Sequence, residues 1–305
     1  MTDLAESHDE LRPLMFSIAY RMLGSVTEAE DVVQDAFLRM HQQMSAGTRL
    51  ESPEAFATTV TTRLAIDALR SARRRRERYV GPWLPEPLVA TDDDPARRME
   101  MDETVSTAFL MLLERLSPLE RAVFVLREVF EYGYADVARI LERSEASCRQ
   151  LLARARAHIA EARPRYEPSA EERSRLAQRF FAALQGDDMT ALERLLADDV
   201  VFYGDGGGKA PAIRKPLAGV EAVGRFLLGL NRRGQALDVV IEPDAVNGEP
   251  GARLLAGDGS LLGVLTLHVA GGRITSIGNQ INPDKLSHLG RVGDLTALMR
   301  GREEG

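Results

Sequence analysis

From the N-terminus to about residue 163, apolar positions recur every three or four residues, the period of helices with one buried face. Leu11, Leu14, Met15, Ile18, Ala19 and Met22 form one such stripe, and Gly24 follows where a C-terminal cap belongs. Thr27-Glu28-Ala29-Glu30 has capping-box form, and Val32, Val33, Ala36, Phe37 and Met40 continue the stripe on a second helix. Ser52-Pro53 supplies an N-cap and an N1 proline for a third helix through Phe56, Val60, Leu64 and Ala68. A second helical block opens near residue 104. There Ser117-Pro118-Leu119-Glu120 combines a capping box with an N1 proline, which predicts a helix to about Phe130. After Gly133, a short helix over Tyr134 to Glu142, a polar turn at Arg143-Ser144 and a final helix have helix-turn-helix spacing.

The pattern changes beyond about residue 168. Helical spacing persists only at Glu171 to Leu184, Thr190 to Leu196 and Val220 to Leu230. Strands are predicted at Val200 to Tyr203, Leu237 to Glu242, Ala252 to Ala256, Leu261 to Val269 and Arg273 to Ile281. Gly257-Asp258-Gly259-Ser260 and Gly271-Gly272 serve as hairpin turns. Helices followed by a curved antiparallel sheet predict an α+β domain shaped like a cone. The fold class expected is therefore multidomain: two all-α helical domains and a C-terminal cone-shaped α+β domain.

Charge alters this picture locally. The formal net charge is -7, so contact with a polyanion must come from clustered arginines. The third helix runs into Arg70, Arg73, Arg74, Arg75, Arg76 and Arg78. Cations at a helix C-terminus gain a few tenths of a kcal/mol each, which accounts for one or two of them; the alternatives for the rest are a polyanionic partner or a solvated face. On the last helix of the second block, Cys148, Leu151, Leu152, Ala155 and Ile159 form the apolar stripe, and Arg149, Gln150, Arg154, Arg156 and His158 lie off it. In a recognition helix the first positions reach base edges, which makes Arg149 and Gln150 base-reading candidates and Arg154 and Arg156 phosphate candidates. An ordinary surface helix is the competing reading. The second helix carries Glu28, Glu30, Asp31 and Asp35 in its first turns, which suits the positive helix terminus and presents an acidic face.

Residues Val80 to about Asp102 are rich in proline and acidic groups and contain the single tryptophan, in Trp83-Leu84-Pro85-Glu86-Pro87. Extended, this linker reaches about 70 Å, enough for the two helical blocks to grip separate DNA elements. Trp83 and Leu84 are expected to dock on a protein surface, with packing against the adjacent helix as the alternative. Asp205-Gly206-Gly207-Gly208-Lys209 lacks the Walker spacing; its glycines are expected to admit another backbone, with Asp205 and Lys209 as paired ends. His268 and Tyr203 are acid/base candidates for the cone interior, and a structural histidine is the competing reading. Asn282-Pro283-Asp284-Lys285-Leu286 breaks the last strand and leads into a tail able to dock as a small helix. Cys148, the lone cysteine, lies on an apolar stripe and leaves no thiol cluster for zinc, so no metal or cofactor is expected. No apolar run approaches membrane-spanning length, and a cytoplasmic location without membrane contact is expected.

These residues resemble a known family. Ala29-Glu30-Asp31-Val32-Val33-Gln34-Asp35-Ala36-Phe37 and the Arg63 to Arg78 helix look like region 2 of an extracytoplasmic-function sigma factor. The capped helix and Tyr134 to His158 look like region 4, and the third block resembles a SnoaL-like domain. The Trp-Leu-Pro-Glu-Pro, Asp-Gly-Gly-Gly-Lys and Asn-Pro-Asp-Lys-Leu strings match the subgroup with such a domain fused at the C-terminus. The resemblance implies domains at 1–80, 81–103 (linker), 104–165 and 166–305. It implies a promoter-specificity subunit of bacterial RNA polymerase, without covalent chemistry of its own. Glu30, Asp31, Gln34 and Asp35 would bind the core polymerase; Arg63, Asp67, Arg70, Arg73 and Arg74 would recognise the minus-ten promoter element; and Arg149, Gln150, Arg154 and Arg156 would serve the minus-thirty-five element. Trp83, Leu84 and Pro85, the Asp205 to Lys209 loop and Asn282, Pro283, Asp284, Lys285 and Leu286 would form an internal regulatory contact, with the far C-terminal segment contributing positively to activity. A small-molecule ligand of the C-terminal domain is left open. Two other readings compete: a SnoaL-like isomerase or cyclase with DNA-binding targeting modules, which requires turnover lost on replacing His268 or Asp205, and a repressor-like DNA binder that acts without polymerase.

Overall fold

The computed structural model describes residues 4–47, 50–89, 106–160 and 169–301, so the expected boundaries at 103/104 and 165/166 lie outside the described residues. The chain divides into two compact units. The first holds both helical blocks, and the second holds Tyr79–Ala90, Ser106–Ala108 and everything from Pro164 onward.

In the first unit, α1 (Leu4–Leu23), α2 (Val26–Ser45) and α3 (Pro53–Arg76) pack as a bundle around Met15, Ile18, Met22, Val33 and Leu69. Gly24 adopts φ 64° and donates its N–H to the Tyr20 carbonyl at 2.7 Å, closing α1. The cap of α2 is Ser25, whose Oγ accepts from the Glu28 N–H at 3.1 Å, and not the expected Thr27; Gly24 turns the chain so early that Val26 already starts the helix. Ser52 caps α3 ahead of Pro53.

The second helical set comprises α4 (Thr107–Leu113), α5 (Pro118–Phe124), α6 (Tyr134–Leu141) and α7 (Glu145–Ala160). The Ser117/Glu120 capping box opens α5, but the expected single helix to Phe130 loosens into a π-helical turn over Val125–Val129. The α6 to α7 turn begins at Glu142, which takes a left-handed conformation at φ 53°. Cys148 is fully buried on the stripe of α7, and burial pushes its thiol pKa up.

In the second unit, helices α8 (Ala170–Gln185), α9 (Met189–Leu195) and α10 (Val220–Ala236) lie on a six-stranded sheet. Its strands are β1 (Leu196–Asp205), β2 (Leu217–Ala218), β3 (Val240–Val246), β4 (Glu249–Leu255), β5 (Leu261–Ala270) and β6 (Arg273–Gln280), in the order β2-β1-β6-β5-β4-β3. This corrects the cone. The sheet is open and mixed: β1 runs parallel to β6, and β2 and β3 remain as unjoined edges, whereas closure requires the outer strands to pair. The parallel pair arises because β1 enters from a helix and must lie beside the last strand of a three-hairpin meander. Both glycine turns occur where expected, and a third hairpin turns on Asn247-Gly248, both at positive φ. A short helix, α11 (Leu295–Gly301), follows the last strand. Among the described residues no helix is long and apolar enough to cross a membrane.

Candidate regulatory clasp and nucleic-acid-binding faces

Alternation along β1 and β6 gives the sheet two working faces. Phe202 and Ile277 point into the core beneath the helices, and Asp205 and Gln280, paired in register, emerge on the other side. Across that second face runs a strap, Tyr79 to Val89, buried from Leu84 onward. A Cβ on Gly278 would lie 3.4 Å from Leu84 Cδ1, so the strand offers the leucine a shallow seat. Beyond it the Asn247 Oδ1 accepts from the Leu88 N–H at 3.1 Å, the Leu88 carbonyl accepts from the Asn247 N–H at 2.8 Å, and Val89 bridges to Val246 on the edge of β3.

Asp205 has no solvent exposure and is the hub of the clasp. One carboxylate oxygen accepts from the Tyr79 hydroxyl at 2.5 Å and the Gly207 N–H at 3.1 Å. The other accepts from the Leu84 N–H at 2.8 Å, Gln280 Nε2 at 3.2 Å and Lys285 Nζ at 2.7 Å. Lys285 Nζ also donates to the Leu84 carbonyl at 2.5 Å and lies 4.2 Å from the Trp83 ring centre and 4.8 Å from that of Tyr79. The ammonium thereby joins strap, strand end and Asn282–Leu286 segment. Burial first, then the Asp205 hydrogen bond and charge, push the Tyr79 hydroxyl pKa well above its ordinary value.

Asn282 Nδ2 donates to the Tyr79 hydroxyl at 2.8 Å and fills the place beside Gly207, where a Cβ would fall 2.2 Å from it. With φ +57° as well, Gly207 can be no other residue without moving the loop. The expected pairing of Asp205 with Lys209 does not occur: Asp205 is turned inward to Lys285, and Lys209 forms an exposed ion pair with Asp284 at 2.6 Å. Pro283 opens the one-turn helix that sets Lys285, and Leu286 is fully buried beside Val89 and Val246.

Behind β1 and β6, on the core face, lies a cavity of about 570 Å³. Gly204 and Asn279, the register partners one residue before Asp205 and Gln280, form part of its wall, as do Leu295 and Met299 of α11. Tyr203 and His268 do not line it. His268 Nδ1 instead pairs with Glu249 Oε1 at 2.7 Å, so the acid/base constellation expected of an isomerase is not assembled.

In the first unit, Asp31, Gln34 and Asp35 form an exposed face of α2, and Glu30 beside them is tied to Arg12 at 2.6 Å. The arginines of α3 divide. Asp67 pairs with Arg70 on the exposed side at 2.9 Å and Arg74 is exposed. Arg63 Nε instead donates to the Ile140 carbonyl at 2.8 Å, at the C-terminal end of α6, and Arg73 to the carbonyls of Glu114 and Leu116. Sequence periodicity missed the anchor of this packing. Arg121, fully buried, donates to the Arg21 carbonyl at 2.9 Å and pairs with Glu114, which also meets Arg76. Burial raises the Glu114 pKa, but the two guanidinium groups outweigh it and hold the carboxyl below its ordinary range. On α7, Arg149 and Gln150 are exposed in the second turn; Arg149 pairs with Glu145 at 2.7 Å and lies over Tyr134. Arg154 and Arg156 are held by Glu120 and Glu128 at 3.2 and 2.8 Å.

Residues 8–75 match the sigma-70 region 2 family, 106–159 sigma-70 region 4, and 177–277 the SnoaL-like domain. The ECF RNA polymerase sigma factor SigJ of Mycobacterium tuberculosis is 38% identical over 92% of both chains. The chain is an extracytoplasmic-function sigma factor. In this sigma factor the clasp connects the segment after region 2 to the fused SnoaL-like domain. The crystal structure of M. tuberculosis SigJ superposes with a TM-score of 0.75 at 34% identity, over 93% of this chain and 98% of that one. A probable ECF sigma factor of the same organism, SigI, is 31% identical over 91% of this chain and 93% of its own. Relatives matched along nearly the whole chain, the SnoaL-like part included, are sigma factors, so that part belongs to a transcription factor. Family membership implies RNA polymerase and promoter DNA as partners.

Proposed function

We propose that this sigma factor directs bacterial core RNA polymerase to promoters with region 2 at residues 1–80 and region 4 at 104–165, while the SnoaL-like domain at 166–305 regulates it through the 81–103 linker. The exposed face of α2, Asp31, Gln34 and Asp35 with Glu30 at its edge, binds the polymerase. Arg63, Asp67, Arg70, Arg73 and Arg74 serve the minus-ten element; Arg149 and Gln150 read bases of the minus-thirty-five element, and Arg154 and Arg156 contact its phosphates.

The observation that carries the regulatory half is the Asp205 to Lys285 clasp: a linker meant only as a spacer has no need of a buried ion pair and two aromatic rings around one ammonium. Held there, residues 79–89 are withdrawn from the extended length that separate promoter elements demand. Arg63 and Arg73, spent on carbonyls of the second helical set, are likewise unavailable to DNA until the two sets part. Moving such an equilibrium from mostly closed to mostly open takes about 5 kcal/mol of differential binding, which the polymerase supplies.

The test is start-specific transcription with purified core polymerase, comparing the full chain with truncations near residue 165 and just after Leu286. Specific transcripts, altered in amount by each truncation, are expected. Their absence from every form, trimmed or whole, defeats the proposal. An unchanged level in all three would leave a sigma factor without the proposed regulation.

A further inference from the structure

An arginine that reads a base must present its planar fork edge-on to the groove, and an exposed arginine with full rotamer freedom does so only part of the time. Arg149 is restrained before any DNA arrives. Its guanidinium carbon lies 4.7 Å from the centre of the Tyr134 ring, and its Nη2 donates to Glu145 Oε2 at 2.7 Å. The ring has a second cation on it: the Arg127 guanidinium carbon stands 4.4 Å from its centre, and Arg127 Nη1 donates to the Tyr132 carbonyl. Tyr134 opens α6 directly after Gly133, and Arg149 sits in the second turn of α7. Between the two helices, the Arg143 N–H donates to the Ala138 carbonyl at 2.9 Å, and Ser144 Oγ accepts from the Ser147 N–H at 3.2 Å. Ring and guanidinium therefore meet at a set place. Core packing does not require that meeting, because α6 and α7 bury Val137, Ile140, Cys148 and Leu152 while the Arg149 side chain is 55% exposed.

We infer that Tyr134 is a positioning residue for promoter readout: its ring holds the Arg149 guanidinium in place while a base edge takes over from Glu145. Contact with the ring consumes none of the N–H donors, so Arg149 can stay on Tyr134 and still make two hydrogen bonds to a guanine. Tyr134 thus sharpens specificity at the base pair that Arg149 reads and adds little at the others. The inference rests on the base-reading role proposed for Arg149.

The test uses the full chain with core polymerase and a pool of promoters in which both elements are randomised; sequencing the start-specific transcripts gives the base preference at every position. Wild type is compared with Arg149→Ala, Tyr134→Phe, Tyr134→Leu, Tyr134→Gln and the double variant Tyr134→Leu with Arg149→Ala. An unaltered minus-ten preference in the same pool shows that each variant is folded and engages polymerase. Arg149→Ala is expected to flatten the preference at one minus-thirty-five position. Tyr134→Leu and Tyr134→Gln should lower discrimination at that same position by about threefold or more and leave the other positions within about twofold. Tyr134→Phe should retain it, and the double variant should match Arg149→Ala alone. A preference that stays sharp in both Tyr134→Leu and Tyr134→Gln, or an even loss across the whole element, overturns the positioning role and leaves the base reading standing. If Arg149→Ala changes no position, the base reading falls and the positioning role falls with it.

Discussion

Asp205 and Lys285 are mutually dependent in a way that exposed ion pairs are not. Both are buried and their charged groups lie 2.7 Å apart, so removing one takes from its partner a compensating charge in a medium that solvates ions poorly. Asp205→Ala is expected to destabilise the second unit by about 3–5 kcal/mol. Lys285→Met, which retains volume between the two rings, should cost a similar amount, and the double variant clearly less than the sum. Urea unfolding of the four proteins measures this, and additive losses would mean that the pair is not coupled. The exposed Lys209 to Asp284 bridge offers a contrast: Lys209→Ala should change stability by less than about 1 kcal/mol in the same assay.

Helices α3, α4 and α5 are joined by Glu114, which faces Arg121 and Arg76 together. Because its folded pKa lies below the ordinary value of 4.5, the unfolded chain binds more protons in that range. Its stabilisation is therefore complete above pH 4.5 and is lost as pH falls through the folded value. Glu114→Gln should remove that acid dependence and, by leaving Arg121 buried and uncompensated, cost about 3–5 kcal/mol at neutral pH. Thermal unfolding from pH 3 to pH 7 checks both. None of this was legible in the sequence, where Glu114 reads as a polar position between two helices. Periodicity and caps reveal which face of a helix is buried, and on that basis the Ser52-Pro53 and Ser117 starts, the helix-turn-helix and both glycine hairpins were readable. They carry no information about which distant element a buried arginine reaches. The cone failed for the same reason: strand positions follow from local alternation, but the parallel pairing of β1 with β6 and the open edges are long-range facts. Asn247-Gly248 is a hairpin signal of the local kind, with both residues at positive φ between β3 and β4. At the clasp, the Trp83, Asp205 and Asn282 segments were each visible as odd strings; the partner of Asp205 was not, because Lys209 is nearer in sequence and Lys285 nearer in space.

At the scale of the molecule, DNA contact and internal packing compete for the same arginines. Arg63 and Arg73 satisfy backbone carbonyls of the second helical set, and the net charge of -7 gives the free chain no general attraction to DNA. The free sigma factor is therefore expected to leave promoter DNA unprotected in footprinting at about 150 mM salt, with protection of both promoter elements only when core polymerase is present. Glu114→Gln, which loosens the packing between the helical sets, should raise DNA affinity of the free chain several-fold. Strong footprints from the unmodified chain alone would favour an independent DNA binder instead.

The single tryptophan stands against an ammonium group that also faces a tyrosine ring, inside the contact proposed to open during activation. Nature has thereby placed an optical reporter at the hinge of the mechanism. Light emitted by Trp83 should shift to longer wavelength and become accessible to acrylamide when polymerase engages, so the opening can be timed in a stopped-flow instrument without attaching any label.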